Sequence, residues 1–110
     1  MTSRNALGCS RSKRQAECVM AVLCVFEIAG MTEEMYRQAI GQVRDREKAS
    51  PGFMAHAATV TSEGTRITEI WESQEHVNHF LESVIMPMAQ QAGLPPIQSE
   101  FLETSDAFTS

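Results

Sequence analysis

Apolar positions along the chain fall into runs of two different periods, and the change from one to the other marks out the elements. Val19 to Ile28 (VMAVLCVFEI) is rich in β-branched and aromatic residues and stops at Ala29-Gly30, which predicts a first strand. Thr32 offers an N-cap oxygen, with Glu33 and Glu34 in the first turn where the helix dipole favours anions. Met35, Tyr36, Ala39, Ile40 and Val43 then recur at helical spacing, with Arg37, Arg44 and Lys48 on the other side, until Ser50-Pro51-Gly52 ends the helix. Two extended runs follow, Phe53–Thr61 and Thr65–Glu72, joined by Ser62-Glu63-Gly64, where Gly64 supplies the positive φ of a short hairpin. Ser73 caps a second helix whose buried stripe is Val77, Phe80, Leu81, Val84, Ile85 and Met88. Pro87 lies inside that stripe and predicts a kink or break near Met86. After Gly93 and Pro95-Pro96, Ile97 to Thr104 supplies a last strand.

The order β-α-β-β-α-β is that of the ferredoxin-like fold, an α+β class with a four-stranded antiparallel sheet. Right-handed crossovers place both helices on one face of it. The opposite face then exposes apolar side chains to water, and a two-fold partner presenting the same face would bury both. The expectation is therefore a homodimer with a cavity on, or beside, the seam between the sheets.

Length and charge narrow the class. One core is all that 110 residues can support. Apolar residues at 43% and charged residues at 21% are ordinary globular values, which argues against disorder. A duplex-binding surface needs clustered cations, and the net charge of −5 argues against one, so nucleic acid is not an expected partner. The longest apolar run, Val19–Phe26, is too short for a bilayer span, so no membrane is expected either. Residues 1–18 hold Arg4, Arg11, Lys13 and Arg14 without apolar periodicity and read as a flexible basic extension. Residues 19–104 form the domain and 105–110 a polar tail. Glu27 interrupts the apolar stretch and no small-x-small site follows closely, against a secretory signal. Cys9, Cys18 and Cys24 form no CxxC pair and read as free thiols, so a cytoplasmic location is expected.

Over residues 19–104 the chain resembles the dimeric α/β-barrel superfamily, and within it the antibiotic biosynthesis monooxygenase-like group. The resemblance rests on Pro51-Gly52-Phe53 opening the second strand, Trp71-Glu72-Ser73 closing the third, and Phe80-Leu81 with Pro87 beyond in the second helix. It implies a small protein of secondary metabolism that acts without cofactor on an aromatic or polyketide-like molecule. Relatives oxygenate, cyclise, isomerise, degrade haem, or have no recognised activity. The alternatives to a monooxygenase are a non-oxidative cyclase or isomerase, and a non-catalytic dimeric module that binds a ligand or protein. Quinone-forming members carry an amide before the tryptophan and a tyrosine in the next helix; Ile67 and Val77 stand at the nearest positions here. Haem-degrading members need a helical histidine where this chain runs Pro87-Met88-Ala89-Gln90.

Candidate chemistry rests on few residues. His76 and His79 have H-x-x-H spacing, but no third ligand has an evident position, so a solvated helix face is the reading and no metal is expected. His56 sits in a strand among Ala55, Ala57 and Ala58, where space is left around an imidazole that could act as a neutral general base. Its face depends on hairpin register. A two-residue loop, Glu63-Gly64, sets His56 opposite Trp71, and a three-residue loop sets it opposite Ile70 under the helices. Trp71 shares a strand face with Ile67 and Glu69 and offers a stacking wall with its N–H free to donate. Glu69 on a seam must either raise its pKa or find a cation. His56 and Glu69 are thus the catalytic candidates, and Trp71, Ile67, Met54 and Phe80 the substrate-binding ones. Glu27 and Arg66 form an expected cross-strand pair. Tyr36 is assigned to packing. No phosphate-binding loop, Ser-His-Asp order or nucleotide fingerprint occurs.

Overall fold

The computed structural model describes residues 21–108. The predicted basic extension over residues 1–18, and Val19 and Met20 at the predicted start of the first strand, lie outside the described residues. The elements run β1 (Val22–Ala29), α1 (Glu33–Ala49), β2 (Phe53–Thr61), β3 (Gly64–Trp71), a composite second helix, and β4 (Gln98–Glu103). The second helix is α-helical over Gln74–Phe80 (α2), π-helical over Leu81–Ile85, and α-helical again over Met86–Ala92 (α3). The strands form one antiparallel sheet in the order β2-β3-β1-β4. This is the ferredoxin-like arrangement that the periodicity predicts. No helix among the described residues is long and apolar enough to cross a membrane.

Local chemistry explains the boundaries. The Thr32 hydroxyl accepts from the Met35 amide at 3.2 Å and starts α1, and Ser73 does the same for His76 and starts α2. Gly52, at φ +86°, lets the chain turn into β2, and a Cβ there would stand 2.4 Å from the His76 ring. His76 is therefore a packing residue, hydrogen-bonded to Ser73 at 2.7 Å, and not one half of a metal site with exposed His79. Pro87 does not break its helix. A proline ring collides with the carbonyl four residues back and lacks an N–H, and the π-turn just before it absorbs the mismatch: the Met86 amide bonds to Leu81 O instead.

Pairing register sorts the side chains by face. Val22, Cys24, Phe26 and Ile28 of β1 are buried and pair with Trp71, Glu69, Ile67 and Thr65 of β3. Of these, Val22, Cys24, Phe26, Ile67 and Trp71 pack with Ile40, Val43, Val77, Phe80 and Val84 from the helices. On the other face, Leu23, Val25, Ile70 and Leu102 come together, with Leu102 44% exposed. Arg66 and Glu27 form their ion pair on this outer face. Past β4, Ala107 is buried, so the predicted polar tail contains one packed residue.

Candidate active site

The β2–β3 hairpin turns through Ser62-Glu63, because Thr61 pairs with Gly64. Neither loop considered from the sequence is the one adopted. The result sets His56 opposite Glu69, on the face covered by the helices. Gly64 is required for a reason beyond its turn: a Cβ there would come within 2.5 Å of Ile28 O on β1. Nearer the start of β2, a bulge at Met54 resets the register, so that Phe53 pairs with Trp71.

His56, Glu69 and Trp71 thus stand between sheet and helices, which corrects the expectation of a site on, or beside, the seam between two sheets. The reason is strand alternation. With Glu27 and Arg66 on the outer face, Ile67, Glu69 and Trp71 must take the inner one. Helix α1 adds two residues that sequence reasoning missed. Glu47 lies four positions beyond Val43 and continues the stripe Tyr36–Ile40–Val43, so the helix delivers a carboxylate into the core, where it is 3% exposed. Tyr36, assigned to packing, also points its hydroxyl at His56.

The hydrogen bonds form one connected cluster. His56 Nδ1 lies 3.0 Å from Glu69 Oε2 and 3.1 Å from Glu47 Oε1. On the other side of the ring, Nε2 lies 2.8 Å from the Tyr36 hydroxyl. Trp71 Nε1 donates to Glu69 Oε1 at 2.7 Å, so the indole N–H is committed and not free for a ligand. Trp71 itself is fully buried, in edge and tilted contact with Phe53 and Phe80 at 5.4 and 5.3 Å. Its place is to fix Glu69.

Electrostatics follow from this geometry. Burial works against a charged imidazole, but the hydrogen bonds with Glu47, Glu69 and Tyr36 outweigh it and push His56 up to about 11. His56 is therefore an imidazolium at neutral pH, not the neutral base expected from sequence. Burial also opposes charge on Glu69, yet its hydrogen bonds with His56, Glu47 and Trp71 hold it below the usual carboxylate range. Glu69 has found its cation. Glu47 loses the competition: burial, and then the neighbouring Glu69, outweigh its bond to His56 and push it up to about 7. Burial and the Glu69 charge push the Cys24 thiol up to about 12, which leaves it inert.

A partly open cavity of about 60 Å³ lies against this cluster. Its other walls are apolar, among them Phe26, Ile40, Ile67, Phe80, Ile85 and Met88. Of the predicted substrate-binding residues, Ile67 and Phe80 line it, whereas Trp71 and Met54 do not. One ligand atom each from Glu47, His56 and Glu69 lies within 4.8 Å of the others, close enough for a divalent cation to bridge.

No protein-family model matches the chain, and no curated protein matches it. Its fold does match solved structures. A monooxygenase from the ActVA-Orf6 gene of Streptomyces coelicolor, in complex with nanaomycin D, aligns at TM-score 0.58 and 20% identity over 84% of this chain and 93% of its own. A putative antibiotic biosynthesis monooxygenase from Nitrosomonas europaea aligns at 0.63 and 11% over 76% and 89%. SnoaB, a cofactor-independent oxygenase from Streptomyces nogalater, aligns at 0.58 and 10% over 74% and 89%. At such identities the likeness is one of fold: this chain shares the ferredoxin-like fold of these solved structures.

Proposed function

We propose that the protein is an acid–base enzyme acting without cofactor on a largely apolar, cyclic or polyketide-like small molecule. The observation that carries this reading is the Glu47–His56–Glu69 cluster at the wall of an otherwise apolar cavity. Buried ion pairs add little net stability over apolar packing, so the fold does not require one there. A carboxyl group poised near neutral pH and facing a cavity suits proton transfer. In this reading Glu47 takes the proton, while the imidazolium of His56, held by Glu69, offsets the charge that remains.

The names of the structural neighbours support an oxygenase, in which the carbanion left by deprotonation would reduce dioxygen directly. A non-oxidative cyclase or isomerase is favoured by one observation: Ile67, at the position nearest the amide of quinone-forming relatives, gives the cavity an apolar wall. Turnover of hydroxynaphthalenes by EDTA-treated protein, followed by oxygen uptake and by anaerobic product analysis, separates the two. Glu47→Gln should lower kcat by about 10²–10⁴-fold with little change in KM. Full activity in that variant, or activity restored to EDTA-treated wild type only by added divalent ions, would overturn the reading. An inert wild type would leave a binding module.

The proposal extends to a homodimer. Leu23, Val25, Ile70 and Leu102 make a patch on the bare sheet face, and a two-fold axis brings that patch against its own copy. Sedimentation should give a dimer at micromolar concentration, and Leu102→Glu a monomer. A wild-type monomer would dispose of this part.

A further inference from the structure

Tyr36 has an unusual position. Its side chain is part of the cavity wall, and its hydroxyl is the partner of His56 Nε2, at 2.8 Å. The opposite ring nitrogen faces two carboxylate oxygens at 3.0 and 3.1 Å, so Nδ1 carries a hydrogen. Two buried carboxylates on one side of the ring favour a hydrogen on Nε2 as well. The ring then donates to Tyr36 Oη, and the phenol's own O–H has to point elsewhere. Among the described residues, the polar side chains on the cavity wall are Tyr36, Glu47, His56 and Glu69, and the cluster already engages the last three with one another. Among the described residues the Tyr36 O–H meets no further acceptor, which leaves it available to a ligand in the cavity.

Such a donor is matched to an oxygen that gains negative charge, because the imidazolium behind it polarises the O–H toward the ligand. Glu47 bonds to the other nitrogen of the same ring. A substrate in the cavity can therefore meet a hydrogen-bond donor with one atom and a proton acceptor with a near neighbour.

Resting on the acid–base reading above, we infer that Tyr36 is the substrate-oxygen donor of this site, and that the substrate is an enolisable carbonyl compound or its phenolic tautomer. Its oxygen sits on Tyr36 Oη and its α-carbon faces Glu47. The Glu47 carboxylate takes the α-proton, and the C–H electron pair becomes the C=C bond. The carbonyl π pair moves to oxygen, where the Tyr36 O–H holds the enolate. Return of the proton from Glu47 to the same or another carbon closes the cycle without an oxidant.

Two measurements test this apart from the acid–base reading. The first is a ¹⁹F NMR titration with 4-fluorophenol, whose shift distinguishes phenol from phenolate. Wild type should bind it as the phenolate at pH 7, and Tyr36→Phe should weaken binding by at least about tenfold and abolish the anionic preference. The second is deuterium uptake at the α-carbon of cyclohexanone in D₂O. Wild type should accelerate it, Glu47→Gln should abolish the acceleration, and Tyr36→Phe should reduce it by about 10²-fold or more. Failure of wild type to bind 4-fluorophenol, or equal binding and exchange in Tyr36→Phe, overturns the inference. Exchange lost in Glu47→Gln but kept in Tyr36→Phe overturns the role of Tyr36 and leaves the acid–base reading standing. Phenolate binding that depends on Tyr36, without exchange in wild type, overturns the acid–base reading and the enolisation with it.

Discussion

His56→Leu should cost about 3–5 kcal/mol of folding free energy at pH 7. Leucine fills similar volume, so the loss is not one of packing. It arises because Glu47 and Glu69, 3% and 6% exposed, would face each other without the cation between them. Small domains have only about 5–15 kcal/mol of stability in total, so much of this one's would go. Urea unfolding measures it. The control is the triple variant with apolar residues at Glu47, His56 and Glu69, which should match or exceed wild type, since removing a whole buried cluster leaves no charge unpaired. A stable His56→Leu would mean that the cluster carries no imidazolium.

The second large effect is on pH dependence, and it runs opposite to the usual acid-labile pattern. His56 holds its proton more tightly folded than unfolded, so the stability it contributes is complete below 6.5 and is lost as pH rises through about 11. Glu47, raised from 4.5 to about 7, acts in the same direction: its contribution fades as pH rises across that interval. Glu69 acts oppositely, since its contribution is present above 4.5 and is lost as pH falls through its lowered value. The three together place the stability maximum in mild acid, between 4.5 and 6.5. The urea midpoint of wild type, relative to the triple apolar variant, should peak there and decline steadily toward pH 10. A difference that stays flat on the alkaline side would remove the imidazolium from the account.

Most of the fold was legible because strands and helices leave different periods. The hairpin of β2 (Phe53–Thr61) and β3 (Gly64–Trp71) and the stripe on α1 show this, and both could be read without tertiary information. Register was harder. Ser62-Glu63-Gly64 suits several turns, and Gly64 looks like a turn residue, although what demands glycine there is the backbone of β1. The face assignment had a usable clue in Glu27 and Arg66. A charged cross-strand pair belongs on the side away from the helices, and strand alternation then sends Glu69 and Trp71 inward. Glu47 was hidden for another reason. A glutamate near the end of a helix rich in Arg and Lys reads as solvated surface. Only its place four residues past Val43, on the line from Tyr36 and Ile40, marks it as inward-facing. The cluster itself joins residues from three elements, and no local pattern announces such a meeting.

The cavity's size has a kinetic consequence. At about 60 Å³ it is well short of the roughly 150 Å³ that admits a benzene ring elsewhere. An aromatic guest fits wholly inside only when wall side chains such as Met88, Leu94 and Ile97 swing aside. Association then waits on that opening rather than on diffusion, and the observed on-rate is the encounter rate scaled by the small open fraction. Thioether side chains deform at little cost, so the same wall that slows entry can mould itself around guests of different outline. Selectivity between such guests would then rest on the one polar flank, not on shape.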